Sequence, residues 1–119
     1  MDVLLIDDNK EITEMISFFL DSQDVSCKVA NNGREGLDKI KNEKYDVILL
    51  DLTMPEFSGW DIFNDLLRED LLKKNNIILF TASHISEENI QKMIEEGAKD
   101  IIRKPISIDK IIETIEKFK

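Results

Sequence analysis

The amino-acid sequence predicts an α/β protein of the doubly wound kind, with five β-strands alternating with five α-helices in one parallel sheet. Three observations predict it. Short runs rich in Val, Ile and Leu recur five times, at 3–6, 25–29, 47–50, 77–80 and 101–102. Between them the apolar residues return at helical spacing. The run Val47-Ile48-Leu49-Leu50 is apolar without alternation, as a strand covered by helices on both faces requires. Such an alternation implies parallel strands joined by right-handed crossovers, in one domain spanning residues 1–119.

The helices follow from their stripes and end signals. Ile12, Met15, Ile16, Phe19 and Leu20 fall at i, i+3, i+4, i+7 and i+8, which predicts one buried stripe on the first helix. Leu37 and Ile40 mark a shorter second helix, entered through the turn residues Asn31, Asn32 and Gly33. Ile62, Phe63, Leu66 and Leu67 mark the third, with Ser58 and Asp61 at capping-box spacing. Ile90, Met93 and Ile94 belong to the fourth, opened by Ser86 and closed by Gly97. Ile108, Ile111, Ile112, Ile115 and Phe118 form the fifth, capped by Ser107.

Composition narrows the function. The 119 residues are 42% hydrophobic and 34% charged, the balance of an ordinary globular chain. No run approaches the ~20 apolar residues of a membrane span, and the acidic start lacks the basic region of a signal peptide, so a cytoplasmic location is expected. A net charge of −9 disfavours direct binding to nucleic acid or anionic lipid. Cys27, the single cysteine, is expected to be a small buried hydrophobe on the second strand. His84, the single histidine, has no metal-ligand partners at suitable spacing and is expected in a solvent-facing loop.

In open α/β sheets functional groups gather at the carboxyl edge, where strands give way to loops. Asp7 and Asp8 follow the first strand, and Asp51 follows the third, leading into Leu52-Thr53-Met54-Pro55. Thr81, Ala82 and Ser83 follow the fourth, and Lys104 and Pro105 the fifth. Three carboxylates brought together repel one another unless a cation joins them. All-oxygen donors without imidazole or thiolate select Mg²⁺, or Mn²⁺, over Zn²⁺. Lys104 adds a point charge for phosphoryl oxygens and Thr81 a donor. Together these suit a carboxylate that accepts a phosphoryl group as a mixed anhydride, with Asp51, on the middle strand, as the acceptor. Each residue also has a plainer reading. Asp8 with Glu11 has capping-box spacing, Thr81 suits a loop hydroxyl bonded to backbone, Lys104 a solvated surface charge, and Asp51 a turn acid.

Asp7-Asp8, Asp51 with Met54-Pro55 and Ser58-Gly59, Thr81-Ala82 and Lys104-Pro105 together resemble the signature of two-component response-regulator receiver domains, over the whole chain and in order. The resemblance implies a flavodoxin-like fold with strand order 2-1-3-4-5. It implies Mg²⁺-dependent transfer of a phosphoryl group to Asp51 from a sensor histidine kinase, a phosphotransfer protein or a small phosphodonor. It implies that Asp8, Asp51 and the backbone carbonyl of Thr53 ligate the metal, with Asp7 acting through a metal-bound water. It further implies that Lys104 pairs with the phosphoryl group, that Thr81 moves to meet it, and that Lys104-Pro105 is a cis peptide. Such a protein is a signalling domain that catalyses only its own phosphorylation and dephosphorylation.

Ile101 stands where the family carries an aromatic switch residue, and a β-branched aliphatic cannot swing as a ring does. Output is then expected to rest on the segment 81–88 and the helix that follows it. Thr53 and Ser83 occupy the positions that tune phosphate lifetime in the family; both are small and uncharged, so neither is expected to block or position the attacking water. Asp100 and Arg103 are charged where transcription-factor receivers dimerise, but the last helix lacks their basic pattern. The chain ends within that helix, which favours a stand-alone, chemotaxis-type or phosphorelay receiver, and a piece of a longer protein would look the same. Trp60 is expected on the surface of the third helix or at a kinase contact. Two other functions compete with this one. A pseudo-receiver that binds partners without phosphorylation loses the acids or the lysine, and this sequence keeps them. A haloacid-dehalogenase-like phosphatase needs a second acid two residues after the nucleophile, where Thr53 stands.

Overall fold

A computed structural model of the chain describes residues 1–81 and 85–119. The five apolar runs form β1 (Asp2–Ile6), β2 (Ser26–Ala30), β3 (Val47–Asp51), β4 (Ile77–Thr81) and β5 (Asp100–Arg103). Between and after them lie α1 (Lys10–Ser22), α2 (Gly33–Asn42), α3 (Gly59–Arg68), α4 (Glu87–Glu96) and α5 (Ile108–Glu116). All strand pairs are parallel, and the sheet runs β2-β1-β3-β4-β5, the flavodoxin-like order expected. No helix is long and apolar enough to cross a membrane among the described residues.

Successive strand residues face opposite ways, and this alternation divides the core in two. Leu4, Ile6, Ile48, Leu50, Ile77 and Leu79 pack with Leu37, Ile62, Phe63, Leu66 and Met93 of α2, α3 and α4. Val3, Leu5, Val47, Leu49, Ile78, Phe80 and Ile102 pack with Ile16 and Leu20 of α1 and Ile111 and Ile115 of α5. β3 and β4 are buried at every residue, which is why their sequences do not alternate.

Helix ends carry the expected caps at Ser58, Ser86 and Ser107, and Ser58 with Asp61 completes a capping box. Gly97 ends α4 at φ 136°, a left-handed conformation that glycine takes without a Cβ clash.

Three expectations are corrected. Asn9, not Asp8, caps α1, accepting from the Ile12 N–H at 3.2 Å, so the Asp8–Glu11 capping reading does not hold. Met15 is 55% exposed, and Thr13 takes the inward place beside Ile16 and Leu20, its hydroxyl satisfied by the Lys10 carbonyl. Cys27 is only half-buried, because β2 is an edge strand; burial and the Asp21 charge still push its thiol up to about 12. Trp60 is half-buried against the α2–α4 core. The expectations for Ala82, Ser83 and His84 lie outside the described residues.

Candidate functional site

The register of the three central strands brings the site together. β1 ends beside β3, with Ile6 opposite Leu50, so Asp7 and Asp8 emerge next to Asp51. β4 carries Phe80 opposite Asp51, placing Thr81 one residue beyond. β5 pairs Arg103 with Thr81, and Lys104 follows. Each acidic or polar group thus begins where an apolar run stops.

Asp51 is 2% exposed, and its Oδ1 accepts two hydrogen bonds. One comes from Lys104 Nζ at 3.0 Å and the other from the Thr53 backbone N–H at 3.2 Å. The lysine side chain is itself about a third exposed, so its ammonium reaches the carboxylate from the solvent side. Thr53 is exposed. The turn that presents it is held against α3, where the Gly59 N–H donates to the Leu52 carbonyl at 3.1 Å. A Cβ at position 59 would lie 2.1 Å from the Asp51 carbonyl oxygen, so only glycine permits this approach. In the sequence Gly59 is only part of the Ser58-Gly59 motif, and no local pattern marks the backbone contact that requires glycine.

Asp7 is 1% exposed. Its Oδ1 accepts from the Asn9 N–H at 2.9 Å, while Oδ2 is buried with no hydrogen-bond partner among the described residues. Burial above all, then the nearby Asp51 charge, raises its carboxyl from 3.8 to about 6, against the opposing Asn9 hydrogen bond. Asp8 is exposed beside it, and ligand oxygens of Asp7, Asp8 and Asp51 all lie within 4.8 Å of one another. Among the described residues this is the one such group of acidic, imidazole or thiol side chains. Three hard oxygen donors, one of them a buried orphan, fit a small divalent cation better than any soft-ligand metal.

Thr81 is also 1% exposed, and its hydroxyl has no hydrogen-bond partner among the described residues. An unpaired buried hydroxyl is a cost that an incoming acceptor would relieve. Its carbonyl accepts from the Lys104 N–H at 2.7 Å, which ties the ends of β4 and β5 together. Lys104-Pro105 is cis, as the resemblance implies, and Ile101 is half-buried against the α2–α4 side of the core.

The response regulator receiver domain family matches residues 3–116. This chain is a response regulator receiver domain. The receiver is 34% identical over 115 residues to the cell cycle response regulator CtrA of Brucella ovis, covering 97% of this chain and 48% of that protein. It superimposes on the receiver domain of the Francisella response regulator 1452 with a TM-score of 0.87 at 30% identity, covering 98% of this chain and 94% of the other. It is similar to the Vibrio cholerae chemotaxis protein CheY4, with a TM-score of 0.84 at 27% identity, covering 99% and 98%. The receiver spans about half the length of the curated relatives it matches. It is a signalling domain of two-component systems rather than a classical enzyme.

Proposed function

We propose that this receiver, taken as one unit over residues 1–119, is a phosphorylation-activated switch whose acceptor is Asp51, loaded in a Mg²⁺-dependent reaction by a sensor histidine kinase or a phosphotransfer protein. The observation that carries the reading is the buried Asp51 carboxylate, which among the described residues is held through Oδ1 alone, by Lys104 and the Thr53 N–H. That grip leaves Oδ2 as the attacking oxygen. A bond forms between it and phosphorus as the phosphorus–nitrogen bond of the donor's phosphohistidine breaks, and the electron pair of that bond returns to the imidazole. Lys104 then carries the positive charge that faces the new phosphoryl oxygens, and the unpartnered Thr81 hydroxyl has a donor to give them. Asp7, Asp8 and Asp51 would hold the metal, with the Thr53 carbonyl as a fourth donor. The ion supplies charge neutralisation for the three acids and for the transferring group.

The cytoplasm is the compartment that fits such a donor. The downstream target is a protein rather than nucleic acid, since the domain carries a net charge of −9. Incubation with acetyl phosphate and Mg²⁺ should add one phosphoryl group by intact mass. The adduct should be absent with a chelator and absent in Asp51→Asn. A wild-type chain that gains no mass would favour a receiver-fold interaction module that works without phosphorylation.

A further inference from the structure

β5 closes the sheet on the side of α4, and its alternation sends Ile101 and Arg103 to the same face. Ile101 and Ile90 of α4 both pack, half-buried, against the same core. Arg103 reaches further. One guanidinium nitrogen donates to the Ile85 carbonyl at 3.2 Å, and the other pairs with the Glu87 carboxylate in the first turn of α4. Ile85 and Glu87 flank Ser86, the cap of α4, so the planar fork of Arg103 grips the helix at its entry. On the backbone side, Arg103 is the register partner of Thr81 and the chain neighbour of Lys104. The residue that holds α4 therefore sits between the two groups that face the phosphoryl site.

We propose that Arg103, through Ile85 and Glu87, is the positioning residue that couples the phosphorylation state of Asp51 to the entry of α4, in place of an aromatic side chain at position 101. This rests on Asp51 being the phosphoacceptor. The unphosphorylated arrangement has the Thr81 hydroxyl buried and unpaired and the Arg103 grip made. Drawing Thr81 toward a phosphoryl oxygen displaces the end of β4 relative to its partner Arg103 and draws the grip off the start of α4. Glu87 is 88% exposed, so the pair is weak enough for one new charge-assisted hydrogen bond to override it. By reciprocity, whatever favours the resting arrangement opposes occupancy of the phosphoryl site by the same factor.

The test is titration with beryllofluoride and Mg²⁺ of the wild type, Arg103→Ala, Glu87→Gln, the double variant and Ile101→Val, each checked for folding by its thermal melt. Releasing the grip should raise apparent beryllofluoride affinity about two- to fivefold in each single variant, the range expected of an exposed ion pair used as a coupling element. The double variant should gain no more than Arg103→Ala alone, because losing the guanidinium already removes its pairing with Glu87. Ile101→Val should bind as the wild type does. Unchanged affinity in Arg103→Ala and Glu87→Gln, or a gain confined to Ile101→Val, would overturn the coupling while leaving the acceptor role of Asp51 intact. A wild type that takes up no beryllofluoride would overturn both.

Discussion

Lys104 Nζ lies 3.0 Å from Asp51 Oδ1, joining the end of β5 to the end of β3 across 53 residues of chain. The pair is asymmetric: the carboxylate side chain is 3% exposed and the lysine 35%. The charge that must be answered is thus the buried one. In Lys104→Met the aliphatic stem is kept and the ammonium lost. Adduct formation from acetyl phosphate should slow about 100-fold, the usual cost of removing one preorganised charge-stabilising group. Stability should fall by only about 1 kcal/mol, because water reaches the lysine end. Stopped-time mass measurements and urea unfolding read the two effects separately.

Asp7 makes stability depend on pH in an unusual direction for a carboxylate. Burial raises its pKa from 3.8 to about 6, so the folded chain binds a proton that the unfolded chain has released. Its contribution is present in full below the unfolded value and is lost as pH climbs through the folded one. Between pH 4 and pH 7, without divalent ions, this group should remove on the order of 2–3 kcal/mol. Asp7→Asn should be more stable than the wild type at pH 7.5 and nearly level across the same window, as read by urea midpoints.

Divalent cations should reverse that loss. At ten times its dissociation constant, Mg²⁺ should add about 1.4 kcal/mol to unfolding at neutral pH. Asp8→Asn, which leaves the buried Asp7 and Asp51 in place, should lose most of this gain. Thermal melts with Mg²⁺ and with a chelator measure it directly.

The Thr81 hydroxyl separates stability from switching. It is buried and unpaired, so Thr81→Val, of nearly the same shape, should be neutral or more stable by up to about 1 kcal/mol. The variant should still accept a phosphoryl group but show a smaller change in amide chemical shifts on beryllofluoride binding. A loss of 2 kcal/mol or more would mean that the hydroxyl has a partner in solution (roughly the cost of orphaning one).

Gly59 is held by backbone, not by conformation. A Cβ there would lie 2.6 Å from Leu52 Cα as well as 2.1 Å from the Asp51 oxygen, and neither atom can rotate away. Gly59→Ala should therefore cost about 2–4 kcal/mol despite alanine's better helix propensity. Denaturant unfolding checks it.

Most of the fold was legible because it rests on local rules. Uninterrupted apolar strands, Ser58, Ser86 and Ser107 as caps and Gly97 as a stop each announce themselves within a few residues. The strand-end rule also brought together the candidate cluster, since Asp7, Asp8, Asp51, Thr81 and Lys104 all follow apolar runs. What local rules missed is tertiary. Met15 has helical spacing but faces solvent, because Thr13 can enter the core by returning its hydroxyl to the Lys10 carbonyl. The orphaned oxygens of Asp7 and Thr81, the backbone contact at Gly59 and the grip of Arg103 on α4 depend on how distant segments meet. No spacing in the sequence encodes them.

The central claim is that Asp51 becomes an acyl phosphate. Borohydride reduces such a mixed anhydride to an alcohol, which converts aspartate to homoserine. After acetyl phosphate and Mg²⁺ treatment, peptide mass mapping should find homoserine at position 51 alone. Homoserine at Asp7 or Asp8, or none at position 51, would contradict the account.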